Sequence, residues 1–271
     1  MRGSLWARAA ALGIAPLALL AILCSRAPAT PRKIEPGPTP PAHLRARIVA
    51  VYPHDPQAFT QGLLWHRGAL YESTGQYGAS SLREVELASG KVLRRADLPR
   101  RLFGEGLARV EDRLIQLTWQ EGVALVWGAA DFARRGELAY TGEGWGLCFD
   151  GRRLVMSDGS SRLLFRDPRS FAVVGELDVA SGGVPAQRLN ELECVAGAIY
   201  ANVWRSDEIL RIDPATGRVT AVVDASGLLA RDERRGADVL NGIAHRPETG
   251  TFLVTGKYWP KLFEVVFEPA V

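Results

Sequence analysis

Short apolar runs separated by polar turn residues follow one another along most of the chain, and one such unit recurs five times. Each unit has a strand-like opening segment, a tight turn and a second apolar run, which is typical of a β-hairpin. The opening segments are 59–63, 103–107, 143–147, 189–193 and 240–244. They begin 44, 40, 46 and 51 residues apart, and a period of about 40–50 residues is typical of a four-stranded propeller blade. The pattern therefore predicts an all-β fold, a five-bladed β-propeller.

The outer strands of the predicted blades follow from the same alternation. They are expected at 81–87, 91–98, 163–166, 173–177, 209–212 and 219–223. The last unit lacks one strand, because only 262–267 remains after Lys257. Residues 46–52, at the other end of the domain, form a strand without a unit. We expect 46–52 to complete the last blade beside 262–267, since closure removes the exposed edges of an open array.

The repeat register also predicts which residues meet. A hairpin brings its open ends together, so the start of each first strand and the end of each second strand lie at the same end of a blade. With the first strands innermost, these segments converge on one mouth of a central channel. The residues placed there are Phe59, Gln61, Phe103, Glu105, Trp119, Trp145, Asn190, Trp204, Asn241 and Lys257. A mostly aromatic lining with a few polar groups is typical of a small-molecule pocket.

Glu105 is the candidate acid/base residue of this mouth. It lies between Gly104 and Gly106, where backbone can pass close to a ligand. A carboxyl group among tryptophans loses hydration, which raises its pKa and suits it to proton transfer near neutral pH. Structural roles remain open: the tryptophans can pack between blades, and the asparagines can bond loop backbone. For Glu191 and Glu193 we expect structural bonds between blades.

Composition and charge exclude several classes. The chain has 271 residues, 47% hydrophobic and 23% charged, with a formal net charge of +3. No block of Lys and Arg is long enough to indicate a nucleic-acid-binding arm. The four histidines and the cysteines show no metal-ligand spacing, so we expect no metal and no cofactor.

The N-terminal segment resembles a secretory signal peptide. Arg2 and Arg8 precede an apolar stretch that ends at Cys24, and 27–29 reads Ala-Pro-Ala, a cleavage-site pattern. Residues 1–29 are therefore expected to be removed on export, leaving a periplasmic or extracellular protein. Lipidation of Cys24 and an uncleaved membrane anchor are the alternatives. A Pro-rich linker is predicted over 30–44, and the catalytic propeller domain over 45–271.

Two further cysteines, Cys148 and Cys194, lie in equivalent first strands of the third and fourth units. An exported protein can form disulfides, but a buried thiol also packs well against a neighbouring strand. We expect two free thiols.

Motifs in every unit resemble those of the plant- and bacterial-type glutaminyl-peptide cyclotransferases. They include Phe-Thr-Gln-Gly-Leu at 59–63, Phe-Gly-Glu-Gly at 103–106, Leu-Asn-Glu-Leu-Glu at 189–193 and Thr-Gly-Lys-Tyr-Trp-Pro at 255–260. The resemblance covers roughly residues 48–266 and implies a five-bladed propeller without metal. It implies that Glu105 is the acid/base residue and that the substrate site is lined by Phe59, Gln61, Phe103, Trp119, Trp145, Asn190, Trp204 and Lys257.

The activity that the resemblance implies is cyclisation of an N-terminal glutamine of a peptide or protein to pyroglutamate, with release of ammonia. The expected partner is such a peptide, and a monomer is expected. Lys257, Gln61 and Asn190 are all candidates for stabilising the carbonyl oxygen. Two other readings of the mouth stay open: a non-catalytic propeller that binds a peptide or sugar, and a metal-dependent propeller lactonase.

Overall fold

A computed structural model describes residues 40–270, which belong to one compact unit, and the predicted signal peptide and most of the predicted linker lie outside these residues. The described part of the chain is all-β, with strands and turns and no helix. It accordingly contains no helix long and apolar enough to span a membrane.

The strands follow one another in four-stranded antiparallel units. After β1 (Ala42–Pro53), the first unit is β2 (Thr60–His66), β3 (Ala69–Thr74), β4 (Ser81–Val85) and β5 (Val92–Asp97). The second is β6 (Gly104–Val110), β7 (Arg113–Thr118), β8 (Val123–Gly128) and β9 (Arg134–Ala139). The third is β10 (Leu147–Phe149), β11 (Leu154–Ser157), β12 (Arg162–Arg166) and β13 (Val173–Asp178). Each unit pairs in sequence order, as adjacent strands joined by short turns do.

The second half of the chain contains a short hairpin and two further units. The hairpin is β14 (Ala180–Ser181) and β15 (Val184–Pro185). The fourth unit is β16 (Leu189–Val195), β17 (Ala198–Val203), β18 (Glu208–Ile212) and β19 (Val219–Asp224). The last unit has β20 (Leu240–Arg246), β21 (Thr251–Gly256) and β22 (Lys261–Pro269). The predicted outer strands are confirmed, with ends that differ by at most two residues.

Strand β1 completes the last unit, as predicted. It pairs antiparallel with β22, and the register places Ala46 opposite Phe267 and Tyr52 opposite Leu262. It also begins earlier than predicted, because Ala42–Arg45 pair in parallel with β19 of the fourth unit. Residues 42–44, predicted as the end of the linker, therefore belong to this strand. The last proline of the linker is Pro41, and after it the backbone N–H groups needed for a ladder are available.

The first strands of the five units contact one another in a closed ring: β2 with β6, β6 with β10, β10 with β16, β16 with β20, and β20 with β2. Their backbones approach closely at three glycines. A Cβ on Gly62 would lie 2.6 Å from the Leu107 nitrogen, and one on Gly106 would lie 2.5 Å from the Leu147 nitrogen. Gly146 is packed in the same way against the fourth unit. Side chains are therefore excluded from these contacts.

Glu191 occupies the equivalent position in the fourth unit and has no exposed surface. Its carboxyl group accepts hydrogen bonds from the Leu63 nitrogen (3.2 Å) and the Ile243 nitrogen (2.8 Å), which belong to two other units. Burial raises the pKa of Glu191 well above its ordinary value, although both backbone donors oppose this. The predicted structural role of Glu191 between units is confirmed, as is that of Glu193, which accepts from the His245 nitrogen.

The expectation of free thiols is wrong. Cys148 of β10 and Cys194 of β16 form a disulfide, with Cα atoms 5.5 Å apart. This separation lies in the usual range for disulfides, and it arises because the two first strands are neighbours in the ring. The bond joins strands of two units across 46 residues of chain.

We predict that replacing both Cys148 and Cys194 by serine lowers the free energy of unfolding by about 2–4 kcal/mol, since the unfolded chain is then no longer cross-linked. Thermal or denaturant unfolding of the two proteins measures the difference. Peptide mapping after alkylation without reductant provides the control. Two alkylated cysteines in the native parent protein would contradict the disulfide.

Candidate functional site

One cavity of about 300 Å³ lies where the first strands begin and the second strands end. Its lining contains all nine residues predicted for the catalytic and substrate-binding site. The lining residues are Phe59, Gln61, Phe103, Glu105, Trp119, Trp145, Asn190, Trp204, Lys257 and, in addition, Asp238. Asp238 was not among the residues predicted for the site. Asn241, predicted at the mouth, is instead fully buried behind the lining.

Edge-to-face aromatic contacts build the walls of the cavity. The Phe103 ring lies 5.9 Å from Phe59 and 5.7 Å from Trp119, measured between ring centroids. Trp145 and Trp204 form a second pair on the other wall, at 5.6 Å and 86°. These are favourable geometries for aromatic pairs, so the walls hold their shape without a ligand.

Two glycines at the ends of second strands make room for these rings. A Cβ on Gly75 would fall 2.7 Å from the Cζ atom of Phe103, and one on Gly159 would fall 2.7 Å from Cζ2 of Trp145. Gly159 also has a φ of +82°, which side-chain-bearing residues rarely adopt. Both glycines are therefore part of the architecture of the site.

Glu105 lies at the end of a chain of side-chain amides. The Asn241 amide donates to Gln61 Oε1 (3.1 Å), and Gln61 Nε2 donates to Glu105 Oε1 (2.7 Å). Glu105 is 4% exposed. Burial raises its pKa well above the ordinary carboxyl value; the Lys257 charge opposes this, and the Glu143 and Glu121 charges add to it. The result is a carboxyl group held in one orientation and biased towards its protonated form.

Lys257 is the cation of the cavity. It is 5% exposed, and its Nζ atom lies 4.6 Å from the centroid of the Phe59 ring. Burial lowers the pKa of Lys257, whereas the charges of Glu105 and Asp238 raise it. Attraction between an ammonium group and an aromatic face compensates in part for the hydration that the ammonium group loses on burial.

Asn190 brings an uncommitted amide to the same cavity. Its backbone oxygen accepts from Ser157 Oγ (2.6 Å), which fixes the residue at the start of β16. Its side chain is buried but makes no hydrogen bond to another residue within 40–270. Buried amides usually find partners, so this one is available to a ligand.

Glu143 was not predicted, and it holds two of the walls in place. Its Oε2 atom accepts from Trp119 Nε1 and from Trp145 Nε1, both at 2.9 Å, and its Oε1 atom accepts from Gln120 at 2.8 Å. Burial raises the pKa of Glu143, but these three hydrogen bonds outweigh it and lower the pKa below its ordinary value. Glu143 is therefore a carboxylate that orients both indoles. A sequence signal existed, since Glu143 opens the third repeat copy, whereas the other four copies open with phenylalanine or leucine.

Comparison with known proteins agrees with this geometry. Residues 17–267 match the family model of glutamine cyclotransferase. A glutaminyl-peptide cyclotransferase of Arabidopsis thaliana is 40% identical over 228 residues, which are 82% of this chain and 71% of that protein. The chain belongs to the glutamine cyclotransferase family. A crystal structure of Myxococcus xanthus glutaminyl cyclase is also similar, with a TM-score of 0.80 and 44% identity over 85% of this chain and all of that one.

This member of the glutamine cyclotransferase family has no group of three or more His, Cys, Asp or Glu side chains that could hold a metal ion within residues 40–270. Two acids line the cavity, Glu105 and Asp238, and a third, Glu143, binds the indole N–H groups of two of its tryptophans. What the arrangement can do is bind a small polar group between aromatic walls and move a proton through one carboxyl group.

We predict that Glu143→Gln lowers the pKa of Glu105, because a negative charge that disfavours ionised Glu105 is removed. It should also speed hydrogen exchange at the Trp119 and Trp145 indole N–H groups, since an amide oxygen replaces a charged acceptor. Carboxyl ¹³C NMR titration and indole ¹⁵N spectra measure the two effects.

Glu121→Gln is the matched control, because Glu121 also raises the pKa of Glu105 but accepts from Tyr77 rather than from an indole. It should lower the pKa of Glu105 and leave indole exchange as in the parent. An unchanged pKa of Glu105 in Glu143→Gln would refute the electrostatic role of Glu143.

Proposed function

We propose that this protein is a glutaminyl-peptide cyclotransferase that acts on peptides and proteins with an N-terminal glutamine and needs no metal. The main support is that the buried carboxyl group of Glu105 shares one small aromatic cavity with the Lys257 ammonium group and the Asn190 side-chain amide. Family membership and the names of the two relatives support the same activity.

The reaction needs no nucleophile from the protein. The substrate's own α-amine attacks the side-chain amide carbon, a C–N bond forms to close a five-membered ring, and the original amide C–N bond breaks. The proton lost by the amine ends on the departing ammonia. What the cavity supplies is a folded-back substrate held in place, which is proximity catalysis. Aromatic rings such as Phe103 and Trp119, packed edge to face, suit the apolar part of a glutamine side chain.

Glu105 moves the proton. Gln61 donates to its Oε1 atom, so the acidic proton resides on Oε2, which makes no hydrogen bond to another residue within 40–270. A neutral carboxyl group can give this proton to the leaving nitrogen and accept one from the attacking amine. Glu191 is unsuited to this task, because its carboxyl oxygens accept backbone hydrogen bonds across the ring.

The carbonyl oxygen gains negative charge as the ring closes, and we assign its stabilisation to Lys257 and Asn190. Both present donors to the cavity, whereas Gln61 is already engaged with Glu105 and Asn241. Preorganised donors in a water-poor site stabilise such charge strongly.

We expect the protein to release ammonia from glutamine-initiated dipeptides at the same rate with and without a chelator. An ammonia assay coupled to mass spectrometry of the cyclised peptide measures both products. Loss of activity in chelator would favour the metal-dependent alternative, and absence of ammonia with tight peptide binding would favour a binding protein.

Glu105→Gln should lower kcat by at least about 10²-fold, since one acid/base side chain typically contributes 10²–10⁴-fold, and should change KM much less. The amide keeps the shape of the carboxyl group but cannot transfer the proton. Trp204→Ala should raise KM, because it removes a wall of the cavity. A Glu105→Gln protein that melts near the parent temperature and turns over at the parent rate would exclude Glu105 as the catalyst.

The ring of five units is proposed to be a five-bladed propeller closed by β1. The cyclic contacts of the first strands and the pairing of β1 with β22 support this. A crystal structure with an open edge between the first and last units would contradict it.

We also propose that the protein is exported, through a signal peptide cleaved at 27–29. The disulfide between Cys148 and Cys194 supports this, since such bonds persist in oxidising compartments. Mass spectrometry should show a mature N-terminus near Thr30, and an intact Met1 on cytoplasmic protein would contradict export.

A further inference from the structure

A second concavity of about 400 Å³ adjoins the cavity. Its walls are the turn after β17, the connection 225–239 between the fourth and last units, and Trp259. That connection is the longest between units. Asp238 lines both the cavity and this second concavity, which we call the 225–239 groove. A chain that leaves the cavity past Asp238 therefore enters the groove.

Backbone hydrogen bonds hold the groove in a fixed relation to the cavity. The Asp238 nitrogen donates to the Lys257 oxygen (2.8 Å), and the Lys257 nitrogen donates to the Val239 oxygen (2.9 Å). Trp259, which is 3% exposed, donates from Nε1 to the Asp238 oxygen (2.9 Å). The junction is thus preformed, which lowers the cost of ordering a bound chain.

Three of the four charged side chains that line the groove make a hydrogen bond. Arg234 donates to Asp207 (3.3 Å) and to the Leu229 oxygen (3.3 Å). Asp238 accepts from its neighbouring backbone nitrogen at Val239, and its charge acts on Lys257.

Arg205 is the exception. Its guanidinium lies 4.4 Å from the centroid of Trp204, a wall of the cavity, and it makes no hydrogen bond or ion pair with another residue within 40–270. An exposed cation thus stands at the rim where the cavity meets the groove.

We propose that the 225–239 groove binds the residues that follow the N-terminal glutamine of the substrate, and that Arg205 selects for Asp or Glu at the second or third residue. This rests on the proposed function. When the N-terminal glutamine fills the cavity, the rest of the peptide must leave the cavity. The groove begins at Asp238, which lines both. The uncommitted cation there complements a carboxylate and repels a lysine.

Two pentapeptides test the preference: both begin with glutamine and end in two alanines, with two Glu or two Lys at the second and third positions. At low ionic strength the parent protein should have a kcat/KM about 2–5-fold higher for the acidic peptide, as expected for an exposed ion pair. The ratio should approach one in high salt.

Arg205→Glu should reverse the ratio. Arg169→Glu is the matched control, because it makes the same change in net charge at an exposed arginine in the turn between β12 and β13, away from the groove, and it should keep the parent ratio. Equal kcat/KM values for the two peptides in the parent, or the same ratio in both variants, would overturn the proposal.

Glutamine amide separates this proposal from the proposed function, since it has no second residue. Ammonia release from glutamine amide and from both peptides at equal kcat/KM refutes only the groove. No ammonia from any of the three compounds refutes the cyclotransferase activity itself.

Discussion

The close approach of the five first strands, each in contact with the next, is the constraint on which the rest of the molecule depends. At Gly62, Gly106 and Gly146 the neighbouring backbone leaves no room for a Cβ atom. The Gly106 nitrogen donates to the Trp145 oxygen (2.7 Å), which fixes the register of these two strands. The residue just before each of the three glycines lines one shared cavity. Glu191 replaces the glycine in one unit and uses its carboxyl group to join two other units. Convergence of the site residues is thus a consequence of how the ring packs.

That packing also creates the electrostatics of the site. Glu105 and Lys257 are both removed from water, and burial shifts the pKa of each towards its neutral form while their mutual attraction opposes the shift. Glu143 adds a negative charge behind the tryptophans and thereby favours protonated Glu105. The same carboxylate fixes Trp119 and Trp145 through their indole N–H groups. Shape and proton affinity are therefore controlled together, which suits a reaction that needs a folded substrate and one mobile proton.

The disulfide extends this rigidity to the strands that carry two cavity residues. Cys148 lies three residues after Trp145, and Cys194 lies four residues after Asn190. A covalent link between β10 and β16 holds these two segments side by side. Strand β1 pairs with β22 of the last unit and with β19 of the fourth unit, so it links these two neighbouring units through the backbone.

The sequence alone determined the repeat, the order of the strands and the nine cavity residues. Strand periodicity and hairpin geometry place equivalent positions at one end of every unit, and this placement does not depend on side-chain conformation. Only the tertiary structure decided the roles of Glu143 and Asp238. Glu143 accepts hydrogen bonds from two indoles, and Asp238 lines both the cavity and the groove. Both roles depend on the directions that side chains take across loops. The tertiary structure also decided the disulfide against the expected thiols, since periodicity places Cys148 and Cys194 in neighbouring strands but does not determine the offset between those strands. Local patterns specify which face a residue takes, whereas distances between units follow from the packing of the whole ring.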